Sequence, residues 1–159
     1  MLAMEGTSGV LVAHAMTGEV VVTHPESTLW EAARTLREAD ISGAPVVDLR
    51  GVLVGILSEK DIARSLAELT GRHNAPHVLD VLLAGGGTVG SLAGMAFELL
   101  QNTRVSEAMS RDPITTSPDT PLDKAAGIMK ERRINRLPVL QSGHLVGILT
   151  RHDILAATP

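Results

Sequence analysis

The stretch Leu53-Val54-Gly55-Ile56-Leu57-Ser58-Glu59-Lys60-Asp61-Ile62 returns 92 residues later as Leu145-Val146-Gly147-Ile148-Leu149-Thr150-Arg151-His152-Asp153-Ile154. Its first half is short, apolar and rich in Val, Ile and Leu, the signature of a buried strand. Its second half is a hydroxyl residue followed three positions later by an acid, the signature of a helix start. Each copy therefore encodes a strand that runs directly into a helix.

The repeat extends outward from this junction. Residues 12–62 match residues 105–154 at 20 of 51 positions, with one extra residue in the first copy around Asp48-Leu49-Arg50. The identical pairs include Met16/Met109, Thr23/Thr116, Pro25/Pro118, Leu29/Leu122, Ala32-Ala33/Ala125-Ala126, Ile41/Ile134 and Pro45-Val46/Pro138-Val139. Such self-similarity indicates two copies of one supersecondary unit packed with pseudo-symmetry. Each copy reads strand–helix–strand–strand–helix, an α/β (α+β) arrangement. In the first copy Val20-Val21-Val22 reads as a short strand and Pro25 as a turn. Ser27 or Thr28 caps a helix, with Glu31 completing a capping box after Thr28. Leu29, Ala32, Ala33 and Leu36 line one face of that helix. Pro45 should open the next strand, Ala44–Val47, because proline cannot donate to a ladder. A turn at Gly51 makes a hairpin with Val52–Leu57, and Ser58 caps a helix carrying Ile62, Leu66 and Leu69. The second copy starts its helix at Thr120-Pro121, with proline at the first helical position, and lines it with Leu122, Ala125, Ala126 and Met129. Its hairpin is Leu137–Leu140, Gly143 and Leu145–Leu149. The domains are then 9–69 and 105–159, with an insert at 70–104. Within the insert, 78–83 and 92–100 read as short apolar helices that cover an edge of the module or a partner's surface.

Composition narrows the function classes. Among 159 residues, 44% are apolar and 20% charged, enough to bury a core and too ordinary for a disordered chain. Trp30 and Phe97 are the only aromatics, which argues against base-stacking nucleic-acid modules. A net charge of −4 implies no general polyanion-binding surface. The absence of cysteine removes disulfides, a thiolate nucleophile and Cys-ligated zinc, and is compatible with the cytoplasm. No signal peptide is legible at the N-terminus. The uncharged run 81–97 is short for a membrane span and holds Gly85-Gly86-Gly87, so a buried helix after a glycine turn is the expectation.

The chemistry sits at the junctions. Ser58 and Asp61, like Thr150 and Asp153, can simply cap a helix. The same atoms also suit a ligand. A helix start offers outward N–H groups to an anion, a hydroxyl binds phosphate oxygen, and a carboxylate accepts from a ribose diol. Neighbouring strands offer an apolar slot for a base.

Taken together, Met16/Met109, the Pro-Glu/Asp-Ser/Thr helix starts, Ala44-Pro45-Val46-Val47-Asp48 with Leu137-Pro138-Val139-Leu140, and the doubled Leu-Val-Gly-Ile-Leu-Ser/Thr-x-x-Asp-Ile resemble a tandem pair of cystathionine β-synthase (CBS) domains, a Bateman module. The resemblance covers about two-thirds of the chain. It implies two β-α-β-β-α repeats packed through their sheets, with clefts for AMP, ADP, ATP or S-adenosylmethionine. It also implies that Ser58, Asp61, Thr150 and Asp153 contact phosphate and ribose, helped by Ser42-Gly43 and Asn135-Arg136. Ile56, Ile148, Ile41 and Ile134 would line the clefts, each cleft being completed by the other copy's first-helix start near Ser27 or Thr120. It further implies a homodimer through the helices and an unidentified target protein. The expectation is a stand-alone, non-enzymatic regulatory module without a cofactor or metal. The alternatives are a ligand-free interaction module and an RNA-binding accessory built on Lys130, Arg132, Arg133 and Arg136. The remaining histidines carry little: Pro76 breaks the helix that would pair His73 with His77, and His14, His24, His144 and His152 are scattered.

Overall fold

The computed structural model describes residues 9–70 and 92–158. Within them the elements are α1 (Val12–Ala15), α2 (Leu29–Glu38), β1 (Gly43–Val47), β2 (Leu53–Ser58), α3 (Glu59–Thr70), α4 (Leu92–Asn102), α5 (Val105–Ala108), β3 (Ser110–Arg111), α6 (Leu122–Arg132), β4 (Arg136–Gln141), β5 (His144–Thr150) and α7 (Arg151–Ala157). Cysteine-free and mixed in secondary structure, the chain divides into two compact units. One joins Val21–Arg50 to Val54–Asp112; the other joins Met1–Val20, Gly51–Leu53 and Pro113–Pro159.

The unit built around the first repeat has a three-stranded sheet in the order β1-β2-β3. β3 pairs antiparallel with β2, Gly55 opposite Arg111 and Ile56 opposite Ser110. Helix α2 begins as its sequence dictates. Thr28 Oγ1 accepts the Glu31 N–H at 3.1 Å, and the Glu31 carboxylate accepts the Thr28 N–H at 3.0 Å. Leu29, Ala32, Ala33 and Leu36 face inward and meet Val46, Leu57, Ile62 and Leu66. Each fully buried Leu or Ile here contributes about 1.5–3 kcal/mol. The Leu69 side chain lies outside the described residues.

Helix α4, at the end of the insert, packs into the unit of the first repeat. Its Ala96 and Leu100 are fully buried among Leu29, Leu36 and Leu66, so the end of the insert is part of this unit's core. Trp30 meets Phe97 edge-on at 4.9 Å between ring centroids. The other expected insert helix, 78–83, lies outside the described residues, as do His73, His77 and 81–91 of the apolar run. Among the described residues no helix is long and apolar enough to cross a membrane.

The second unit repeats the plan with a β4–β5 hairpin in which Arg136 faces Thr150 and Pro138 faces Ile148. Leu122, Ala125 and Met129 from α6 pack with Leu137, Val139, Leu149 and Ile154. The turn glycines Gly51 and Gly143 sit at φ +78° and +79°, where a side chain would be strained.

The expected first strands do not form. Val20–Val22 and its counterpart form no strand, and each segment reaches the sheet only through the single parallel bridge that follows it, Thr23 to Val46 and Thr116 to Val139. Proline explains this on both sides. Thr23 donates to the Pro45 carbonyl and accepts from Val47, both at 3.0 Å. One ladder step back would need the N–H that Pro45 lacks, and one step forward the N–H that Pro25 lacks. Pro138 and Pro118 stop the second copy at Thr116 in the same way. Pro45 and Pro138 do not open their strands either; each is the third residue, its missing donor pointing to this interrupted edge. Pro121 caps α6 rather than starting it, because it bridges to Leu11 and leaves Leu122 as the first helical residue.

Each sheet is extended by the segment that leads into the other repeat. Thr17 exchanges both backbone hydrogen bonds with Ile148, at 2.9 and 3.0 Å. Val12 is buried in the second unit's core and its N–H reaches the Thr120 carbonyl at 2.9 Å. Likewise Ser110 faces Ile56, and the Val105 N–H reaches the Ser27 carbonyl at 2.8 Å.

Gly127 lies mid-helix in α6 with nothing within 4 Å of a Cβ built on it. Gly127→Ala is expected to stabilise the protein by about 0.5–1 kcal/mol, read as a raised urea midpoint with an unchanged m-value.

Candidate functional site

The two strand-to-helix junctions fold alike because hydroxyl and acid satisfy the first turn reciprocally. At the first, the Asp61 Oδ2 accepts the Ser58 N–H at 2.9 Å and its hydroxyl at 3.1 Å, while Ser58 Oγ accepts the Asp61 N–H at 3.4 Å. At the second, the Asp153 Oδ2 accepts the Thr150 N–H at 2.8 Å and its hydroxyl at 2.9 Å, and Thr150 Oγ1 accepts the Asp153 N–H at 3.2 Å. The segment before the Pro-containing strand is tied to the same point. The Glu59 N–H reaches the Ser42 carbonyl and the Arg151 N–H the Asn135 carbonyl, both at 2.9 Å. Ser42, Ser58 and Asp61 thus form one group; Asn135, Arg136, Thr150 and Asp153 form the other.

The second oxygen of each carboxylate differs. Asp61 Oδ1 takes a hydrogen bond from Arg64 at 3.3 Å, and Asp61 is buried beneath it. The position equivalent to Arg64 is Ala156. Asp153 is half-buried and its Oδ1 has no partner among the described residues. One oxygen of Asp153 is therefore committed to the helix start and the other is able to take a hydroxyl from outside.

The remaining expected residues fall into two sets. Ile56 and Ile148 are half-buried on the strands that feed the junctions. Ile41 and Ile134 are half-buried against their own units' cores, just ahead of Ser42 and Asn135. Ser27 and Thr120 sit elsewhere within their units, at the starts of α2 and α6, where their carbonyls hold the lead segments. The Thr120 hydroxyl also lies 3.0 Å from that of Ser117. Ser27 belongs to the unit of Ser58, and Thr120 to that of Thr150.

Sequence reading passed over Arg64, and over the charged residues that open the helices, Glu59 and Arg151. A position-by-position comparison of the repeats was the available signal. Among the described residues no group of three or more His, Asp or Glu is placed to hold a metal ion.

The CBS domain family matches residues 12–68 and 105–159. Protein MJ1426 of Methanocaldococcus jannaschii is 34% identical over 142 residues, covering 86% of this chain and 84% of that protein. The structure of CBSX2, an Arabidopsis thaliana protein, in complex with AMP is 28% identical with a TM-score of 0.69, covering 94% of this chain and 96% of the other. The CBS domain pair of protein MJ0100, in complex with 5′-methylthioadenosine and S-adenosyl-L-methionine, is also 28% identical with a TM-score of 0.69, covering 92% and 94%. With the motif doubled, both junctions formed and the family matched over both repeats, the chain belongs to the CBS domain family and is a tandem CBS pair.

Proposed function

We propose that this CBS pair is a regulatory module that binds adenine nucleotides or adenosyl ligands such as AMP, ADP, ATP or S-adenosylmethionine, and reports them through a change of shape or of partner contacts. The observation that carries this reading is the doubled hydroxyl-x-x-Asp junction, each tied to the residues before its Pro-containing strand. Thr150 and Ser58 supply hydroxyls for phosphate. Asp153 and Asp61 supply acceptors for ribose. Arg136 and Asn135, or Ser42, flank them, with Ile56, Ile148, Ile41 and Ile134 as apolar neighbours and Ser27 and Thr120 as further polar contacts. The adenosyl ligands held by CBSX2 and the MJ0100 pair support the ligand class. No reaction is assigned to the module, and a chain without cysteine suits the reducing cytoplasm.

The internal capping bonds favour one rival, an interaction module whose hydroxyl and acid only start helices. Mass spectrometry of small molecules released from the purified protein, with a thermal-shift screen of AMP, ATP, NAD and S-adenosylmethionine, separates the two. A ligand at about 100 times its Kd adds about 2.7 kcal/mol to apparent stability. Unmoved melting with every compound, and nothing adenosyl released, contradicts ligand binding.

The protein is further proposed to act as a homodimer on a target protein. Met95, Phe97 and Leu155 leave apolar surface exposed, and two-fold dimers are the commonest closed assembly. Light scattering at micromolar concentration should give twice the 16.7 kDa chain mass; a monomer contradicts it.

A further inference from the structure

We infer that the two sites are sorted by charge: the Thr150–Asp153 site takes phosphorylated adenosine ligands, and the Ser58–Asp61 site takes unphosphorylated adenosyl groups, neutral or cationic. This inference rests on the adenine-binding reading above.

The argument comes from equivalent positions around one shared backbone contact. In each unit a hydrogen bond joins the residue before the Pro-containing strand to the first residue of the following helix, Ser42 to Glu59 and Asn135 to Arg151. The residue two positions ahead of that contact has a left-handed backbone in both copies, Asp40 at φ 54° and Arg133 at φ 55°. The two frames therefore superpose in kind while their side chains are opposite in sign. Asp40 stands where the other copy has Arg133, Glu59 where it has Arg151, and Gly43 where it has Arg136. Asp40, Glu59, Arg133 and Arg151 are all exposed, and none makes an ion pair among the described residues.

Every charge of the two frames counts in this comparison. Asp40, Glu59 and Asp61 against Lys60 and Arg64 leave the first frame at net −1. Arg133, Arg136 and Arg151 against Asp153 leave the second at +2, with His152 neutral. The strand register sets Arg136 directly opposite Thr150, so the two side chains leave the same face of the sheet. A guanidinium beside a hydroxyl is suited to bidentate recognition of a phosphate. The first frame offers a buried glycine in that place, and its carboxylates at 40 and 59 repel a phosphate dianion.

The test is calorimetry on the full chain with AMP and with adenosine, which differ only in the phosphate. Asp61→Ala weakens the first site so that the second dominates the titration; Asp153→Ala does the reverse. With Asp61→Ala, AMP is expected to bind at least about ten-fold tighter than adenosine, and the gap should narrow as salt rises from about 0.05 to about 0.5 M. With Asp153→Ala, AMP should bind no tighter than adenosine. Surface charge reversals provide an arm that spares Ser58, Asp61, Thr150 and Asp153. Arg133→Glu with Arg151→Glu should cut the AMP-to-adenosine affinity ratio about ten-fold, each reversed charge acting several-fold, and Asp40→Arg with Glu59→Arg should raise it. Equal ratios at the two sites, or ratios indifferent to the reversals, overturn the charge sorting while adenosine binding keeps the broader reading. Failure of the wild-type protein to bind either AMP or adenosine overturns both.

Discussion

Asp153→Ala is expected to weaken AMP binding about ten- to hundred-fold. The variant removes the Oδ1 proposed to accept a ribose hydroxyl, and a hydrogen bond to an ionised acceptor is worth about 1.5–3 kcal/mol net. The structure adds a second consequence. Asp153 Oδ2 also holds the Thr150 N–H and hydroxyl, so the variant loses a capping interaction worth about 1 kcal/mol. Binding and stability must therefore be measured together, by calorimetry and urea unfolding. Asp153→Asn separates the two effects. Its carbonyl oxygen still accepts the Thr150 N–H, while the ionised acceptor is gone. It should recover most of the stability and little of the affinity. Unchanged AMP affinity in Asp153→Ala, Asp61→Ala and the double variant would mean that these carboxylates only start helices.

The second large effect concerns two glycines that look interchangeable in the repeat. A Cβ at Gly55 would lie 2.7 Å from the Ser110 carbonyl oxygen and 2.7 Å from Met109 Sδ. A Cβ at Gly147 would lie 2.6 Å from Met16 Sδ but 3.1 Å from the Thr17 carbonyl oxygen. A methionine thioether can swing away; a carbonyl in a strand pairing cannot move without disturbing that pairing. Gly55→Ala is therefore expected to cost about 1–3 kcal/mol, as overpacking does, and Gly147→Ala about 1 kcal/mol or less once Met16 shifts. Removing the methionine as well should rescue Gly147→Ala through Met16→Ala, and should not rescue Gly55→Ala through Met109→Ala. Urea midpoints for the four variants decide it: equal costs at the two glycines, or rescue at both, contradict the backbone explanation.

Much of this was legible in the residues. Apolar spacing in Leu29, Ala32, Ala33 and Leu36 marks the buried face of α2, and Thr28 with Glu31 marks its start. Both hairpins follow from Val-Ile-Leu runs around Gly51 and Gly143. The missing strands at Val20–Val22 and its counterpart were misread because β-branched residues announce extension, whereas pairing depends on donors across the sheet. Prolines 25, 45, 118 and 138 delete the donors that a second bridge needs. The destination of α4 was hidden for another reason. Apolar composition says that a helix is buried, and only tertiary packing says that Ala96 and Leu100 meet Leu29 and Leu66. The carboxylates and hydroxyls of the sites stood out through duplication. The opposite charges of Asp40/Arg133 and Glu59/Arg151 are less legible, because a repeat is defined by its agreements.

The exchange of lead segments also bears on how the chain is made. Emerging from a ribosome in order, the unit around β1 and β2 has all its parts once residue 112 has left the exit tunnel. The other unit joins Val12 and Thr17 to a strand that is made much later, since Thr17 pairs with Ile148. At about 5–20 residues per second, the nascent strip waits roughly 7–26 s for translation to reach its partner. Through that interval Val12, Met16 and Thr17 have no sheet to join. That segment is thus made well before the strand it joins, and a strip of apolar edge stays open to chaperones while the chain between them is synthesised.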